Sequence, residues 1–253
     1  MINIAINTFK EIIRNKYMYM IVFFGFIFIA FSIILGKLTI GEDSKIIVDF
    51  GLAMIEIFGL LGVLFVGSQL LFREIDGKTI FLILSKPIKR YEFIIGKIMG
   101  FSMTILLITL FQSILFIIVL FIKDINIDYL IIWSLVNIFL KLEIMLVIVF
   151  FLSTFMSNML IIASSLMIYF ASHSFSTILD LVNKMGNNIA INGVKLLQLL
   201  FPPFEALNTK DIIGNFSDFS NSYFMLNFVY SVGYFFIVLY FTVVIFSRKK
   251  FEN

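Results

Sequence analysis

The chain has 253 residues, of which 61% are hydrophobic and 14% charged, with 33 phenylalanines, one histidine, no cysteine and a formal net charge of +3. Soluble domains run at roughly 45–50% apolar and about 25% charged, so a soluble single domain, a disordered chain and a disulfide scaffold are excluded. Without cysteine there is no thiolate metal site or catalytic thiol, and in so apolar a chain the positive charge reports membrane topology rather than affinity for nucleic acid.

In chain order, residues 1–16 read as an interfacial helix. Ile2, Ala5, Ile6, Phe9, Ile12 and Ile13 fall on one face, with Asn3, Asn7, Lys10, Glu11 and Arg14 on the other. A cleavable signal peptide does not fit, because the next apolar run is full span length and no small-residue cleavage site follows it. A bilayer core takes about 20 apolar residues in helix, and six stretches qualify: Tyr17–Leu35, Phe50–Phe72, Ile98–Ile122, about Leu130–Phe155, about Met159–Ser176 and about Met225–Phe246. Continuous apolar runs, rather than alternation over ten residues, make these helices and not barrel strands. The expected fold is therefore an all-α integral membrane protein, a single transmembrane domain over residues 1–253. It has six spans, an inner loop at 73–97 and an outer segment at 177–224 that contains two short helix-length apolar runs.

Lys and Arg near the span ends set the orientation. With the N-terminus inside, Lys10, Arg14, Lys16, Arg73, Lys78, Lys86, Lys89, Arg90, Lys97, Arg248, Lys249 and Lys250 are cytoplasmic. Lys37, Lys45, Lys123, Lys184, Lys195 and Lys210 lie outside. Twelve against six, with an even number of spans, favours both termini cytoplasmic; the expected location is the plasma membrane, as a multi-pass chain.

The inner loop 73–97 is dense in charge yet keeps an apolar periodicity through Ile80, Phe81, Ile83, Leu84, Ile88, Phe93 and Ile94. Gly77 punctuates the second span, Thr79 can cap a short helix, and Pro87 ends that helix. The basic residues Lys89, Arg90 and Lys97 would sit at anionic headgroups. This reads as a short amphipathic helix presented under the membrane to a cytoplasmic partner; a solvated loop of positive-inside charges is the plainer alternative.

Glu74, Gly77, Thr79, Leu82, Leu84, Pro87, Arg90, Gly96 and Lys97 resemble the signature of ABC exporter permeases of the type 2 membrane family. The resemblance runs over nearly the whole chain. Tyr169–Ser174 and Leu200–Asn208 are similar, more narrowly, to the subgroup of permeases for multicopper-enzyme maturation, although that subgroup usually has Gly where Ser172 stands. The resemblance implies that the inner loop is a coupling helix seated in a separate ATP-hydrolysing subunit, with Glu74, Gly77, Thr79, Leu84, Pro87 and Arg90 as coupling residues. It implies two permease chains, identical or different, and two ATPase chains. No cofactor belongs to this chain; ATP and Mg are expected on the partner. It also implies outer short helices that partly re-enter the membrane as a gate. A non-transporting assembly or mechanical-transmission subunit using the same ATPase contact is the alternative.

Other candidates are weighed against simpler readings. Gly77-Lys78-Thr79 imitates the end of a phosphate-binding loop, but Phe72 stands where that loop needs its first glycine. Nucleotide binding by this chain is rejected, and no enzyme activity is expected. Glu56, Lys141 and Glu143 are charges at membrane depth and line either a polar path or structural pairs. Counted from the span ends at ~1.5 Å per residue, Glu56 is roughly 9 Å deep and Lys141 roughly 17 Å; Lys141 and Glu143 point to different faces. Either glutamate could act as a base in an intramembrane enzyme, but no facing partner is evident. His173 alone cannot make a metal site and reads as a hydrogen-bonded histidine near the outer end of its span. Pro202 and Glu205 belong to the outer segment.

Overall fold

The computed structural model describes residues 1–37, 43–77, 89–186, 188–209 and 221–249, and among these all regular structure is helical. Ten α-helices follow in order: α1 Ile2–Ile13, α2 Lys16–Lys37, α3 Asp43–Gly62, α4 Ser68–Asp76, α5 Arg90–Ile122, α6 Tyr129–Ser153, α7 Asn158–His173, α8 Phe175–Met185, α9 Asn188–Leu200 and α10 Asn221–Arg248. A π-helical turn, Val63–Gly67, joins α3 to α4 without a break, so Asp43–Asp76 is one long span. Five helices are long and apolar enough to cross a membrane, and the bent pair α7–α8 passes the same test only when taken together, as a broken span or a re-entrant loop. Met1 and Ala5 pack against Gly96 and Gly100 in the first turns of α5, and Arg90 reaches the end of α10, so both termini lie on one face of the bundle.

α6 is the centre. From Leu142 to Val149 every residue is buried, and Met145, Leu146, Val147, Val149 and Phe150 are fully enclosed, as expected for a helix that is apolar all round. Glycines on the span beside it make room. A Cβ at Gly59 would lie 2.4 Å from Leu142 Cδ1, and one at Gly67 would lie 2.8 Å from Phe101 Cε1. Small residues let helices approach closely where no hydrophobic force separates protein from lipid.

α1 forms where its amphipathic pattern places it, but it buries a narrower stripe than that pattern suggests. Ala5, Thr8 and Ile12 are buried, while Ile2 and Ile6 stay exposed. The reason is its seat: the backbone carbonyls of Met1 and Ala5 lie over Gly96 and Gly100, where a Cβ would come within 3.0 Å and 2.4 Å of them. Only the residues that straddle this glycine step can be covered.

Several expected boundaries move. The segment 73–97 is helical at both of its described ends: α4 runs to Asp76, and α5 starts at Arg90, capped by Glu92, whose carboxylate accepts from the Lys89 N–H at 3.2 Å. Residues 78–88, with Thr79, Leu82, Leu84 and Pro87, lie outside the described residues. The fifth span is not one straight helix. α7 has 16 residues, about 24 Å, short of a core of about 30 Å; it meets α8 at an angle of 51°. The carbonyls of Ile168, Tyr169 and Phe170 are hydrogen-bonded by the side chains of Ser172, His173 and Ser174. Back-bonding of this kind bends helices.

Gly186, in the left-handed conformation at φ +68°, terminates α8, and α9 packs back on it before ending at Leu200, just ahead of Pro202 and Pro203. This hairpin lies at the rim of the bundle: only Phe175 of its two helices is buried. The chain beyond α9 descends into the bundle. Tyr234 donates to the Leu200 carbonyl at 3.0 Å, ten residues and about 15 Å along α10 from Phe224. There Leu200, Phe201 and Pro202, with Phe151, Ile168 and Phe241, line a cavity of about 220 Å³.

Candidate functional site

On the face that carries the termini, α4 ends at Asp76, capped by Gly77, and α5 begins at Arg90, capped by Lys89. Lys97, two turns into α5, donates from Nζ to Glu74 Oε1 on α4 at 2.5 Å, and the two side chains are only 4% and 19% exposed. The ammonium also lies 5.6 Å from the Phe93 ring centroid. An ion pair therefore closes the base of the segment 77–89. The placement of Lys97 at lipid headgroups is corrected: its neighbours are Glu74, Phe93 and the covering helix α1, because Gly96 and Gly100 draw that helix down on either side of it.

Arg90 faces elsewhere. Its Nη1 donates to the carbonyls of Ser247 at 3.2 Å and Lys249 at 2.6 Å, satisfying the open C-terminal end of α10 with a cation, as the helix dipole favours. Phe93 stacks on Phe246 with centroids 5.8 Å apart. Lys249 in turn donates from Nζ to the Thr154 carbonyl just past α6, and burial holds its pKa below the usual lysine value.

Within the bundle, Glu56 of α3, Lys141 of α6 and Tyr169 and His173 of α7 converge. Glu56 Oε1 accepts from Lys141 Nζ at 2.9 Å and from Tyr169 Oη at 2.8 Å. His173 Nδ1 lies 2.9 Å from the Tyr169 carbonyl; a carbonyl only accepts, so Nδ1 carries a proton. In the neutral ring Nε2 is then an acceptor, 3.4 Å from Lys141 Nζ. Phe204 covers the group, its centroid 5.7 Å from both the Tyr169 and His173 rings. The depth difference estimated from sequence is corrected. α3 begins at Asp43 rather than Phe50, so Glu56 lies about 20 Å along its helix, level with Lys141 about 18 Å along α6. Glu143 points away from the group toward α5, where Ser102 is its hydrogen-bonding neighbour.

Toward the opposite face, Glu205 Oε2 accepts from the Ser176 N–H at 2.8 Å and caps the start of α8. Asn227 of α10 donates to the Ala206 carbonyl at 3.2 Å, and Ser134 and Thr209 share a hydrogen bond of 2.6 Å. The segment from Phe201 to Thr209 is thus tied to α6, α7, α8 and α10.

Of the residues singled out from sequence, Glu56, Lys141 and His173 are brought together and Glu205 lies beside Phe204 above them. Glu74 and Arg90 flank the segment base with different partners. Lys97, Tyr169 and Phe204 carry these sites as much as the singled-out residues do. The only prior signal for them was membership of the motifs around Gly96, His173 and Pro203, which does not say what they touch. Among the described residues no group of three or more His, Asp or Glu could hold a metal ion.

The model of the family described as ABC-2 family transporter protein matches residues 2–251. No curated protein matches the chain.

Proposed function

The chain belongs to the ABC-2 family of transporter proteins, and we propose that its segment 77–89 seats on the partner ATPase and passes that subunit's motion to the spans, driving export. The chain is the multi-pass membrane component of an ABC transporter, and ATP hydrolysis belongs to the partner rather than to this permease. The termini face is cytoplasmic in this reading, supported by the basic residues of the described chain near it: Lys10, Arg14, Lys16, Arg73, Lys89, Arg90, Lys97, Arg248 and Lys249. Glu74, Gly77, Thr79, Leu84, Pro87 and Arg90 form the coupling region. A second permease chain completes the pathway, and α1 rests at the headgroup level with Ile2 and Ile6 in the lipid. The resemblance of Tyr169–Ser174 and Leu200–Asn208 to permeases for multicopper-enzyme maturation favours that subgroup.

One observation carries the coupling role: the buried Glu74–Lys97 pair joins the two helices that enter and leave the segment 77–89. A push on that segment is then delivered to α4 and α5 together rather than absorbed by one of them. Glu74 accordingly acts as a brace, not as a direct ATPase ligand. The Glu56–Lys141 pair, mutually neutralised and 4% and 2% exposed, acts as a clasp of α3, α6 and α7 rather than as a path lining.

The test is whether a neighbouring reading frame encodes an ATPase that co-purifies with this chain on co-expression, followed by reconstitution of the pair in proteoliposomes. Co-purification, together with hydrolysis stimulated by this chain, is expected. An ATPase that neither co-purifies nor responds to the chain would overturn the reading. Stimulated hydrolysis with no substrate moved would favour a mechanical-transmission subunit instead.

A further inference from the structure

α10 is held weakly by apolar packing, with 11% of its spanning window buried, against 72% for α6. Its polar ties therefore matter more than those of any other span: one set is at its cytoplasmic end, and the other is on its outer half, from Asn227 to the midpoint at Tyr234. At the cytoplasmic end Arg90, the first residue after the coupling segment and its Lys89 cap, grips the carbonyls of Ser247 and Lys249, with Phe93 stacked on Phe246. Farther out, Tyr234 at the midpoint of α10 donates to Leu200 and Asn227 near its outer end donates to Ala206, bracketing the stretch between them. Asn227 and Ser247 are twenty positions apart in unbroken helix, about 30 Å. A helix of that length moves as a rod.

We propose that α10 carries movement of the coupling segment to the outer segment 200–206, with Arg90 as the inner tie and Tyr234 and Asn227 as the outer ties. The proposal rests on the coupling reading above. It assigns to the last span a task that the second and third spans, joined directly to the segment, do not perform: none of the hydrogen bonds holding Leu200 and Ala206 comes from α3, α4 or α5. Lys249, bonded to Thr154, keeps the foot of the rod against α6 so that the stroke is not lost sideways.

The chain has no cysteine, so a single Leu196→Cys on the exposed face of α9, 66% exposed, can carry a bimane fluorophore in the otherwise unaltered protein. The complex with its ATPase is reconstituted, and the bimane emission is compared without nucleotide and with ATP. An ATP-dependent shift is expected in the parent. Tyr234→Phe, which keeps the ring, and Asn227→Ala each remove one tie, worth about fivefold in the coupled equilibrium; combined, they should abolish the shift. Both sit far from the segment base, so ATPase co-purification and the nucleotide-free spectrum should stay as in the parent. That unchanged resting spectrum separates lost transmission from a damaged fold. A full shift in the combined variant would overturn the role of α10 while leaving the coupling reading intact. No shift in the parent would overturn both.

Discussion

Glu56 and Lys141, 85 residues apart in sequence, meet in the interior of the bundle with Nζ 2.9 Å from Oε1. Two charges taken out of water are costly singly and tolerable together. Tyr169 and His173 supply the further hydrogen bonds that make such a pair acceptable at membrane depth.

Removing one partner should therefore be far worse than removing both charges. Lys141→Met leaves a buried carboxylate without its counter-ion and should cost about 3–5 kcal/mol. The double variant Glu56→Gln with Lys141→Met should recover most of that loss. Thermal unfolding in detergent, followed by loss of the monodisperse peak, measures both. A double variant as unstable as Lys141→Met would show that the pair is not the source of the stability.

Tyr169 has two separable duties. Tyr169→Phe keeps the ring against Phe204 and loses only the bond to Glu56, an expected cost of about 1 kcal/mol. Phe204→Ala removes a fully buried ring that covers Tyr169 and His173 and should cost about 3–5 kcal/mol. Denaturation of the two variants in the same detergent gives the order; the reverse order would mean that the hydroxyl, not the ring, anchors the outer segment.

Two glycines in helices make a matched comparison. A Cβ at Gly100 would lie 2.4 Å from the Ala5 carbonyl oxygen, a backbone atom that cannot yield without moving α1. Gly193, in α9, has nothing within 4 Å of that position. Gly100→Ala is expected to loosen α1, seen as faster proteolysis near its end at Arg14. Gly193→Ala should be neutral, or stabilising by up to about 1 kcal/mol through helix propensity. Equal protease sensitivity of Gly100→Ala and the parent would contradict the seat described for α1.

Arg90 binds two carbonyls at once, which a lysine cannot reproduce in the same plane. Arg90→Lys should fray the last turn of α10, and amide exchange over Phe246–Lys249 should quicken by about fivefold or more. Unchanged exchange would mean that the stacking of Phe93 on Phe246 suffices to hold that end.

Sequence carried the spans well because bilayer thickness imposes a length of apolar run that few other constraints can mimic. It placed the ends poorly wherever charge and helix coexist. α3 continues through Asp43, Lys45 and Asp49, charges that made Phe50 look like the start, and that offset alone hid the meeting of Glu56 with Lys141. The bend at Ser174 depends on three side chains turning back onto their own helix, a choice of rotamer that periodicity does not encode. Gly96 and Gly100, four residues apart, have the spacing of a close-approach step, but spacing does not name the partner, which is α1 rather than another span. Lys97 illustrates the same limit: a lysine near a span end is normally a headgroup residue, and only the fold reveals that Glu74 faces it.

In the proposed function the Glu74–Lys97 brace couples the segment 77–89 to the spans, and hydrolysis by the reconstituted ATPase complex tests that role most directly. Glu74→Gln and Lys97→Met should each leave the ATPase bound but lower stimulated hydrolysis by about tenfold or more, a smaller loss than for a fully buried pair because the Glu74 side chain is 19% exposed. The reversed pair, Glu74→Lys with Lys97→Glu, should restore a substantial part. Stimulation at the parent level in both single variants, with the complex intact, would contradict the account.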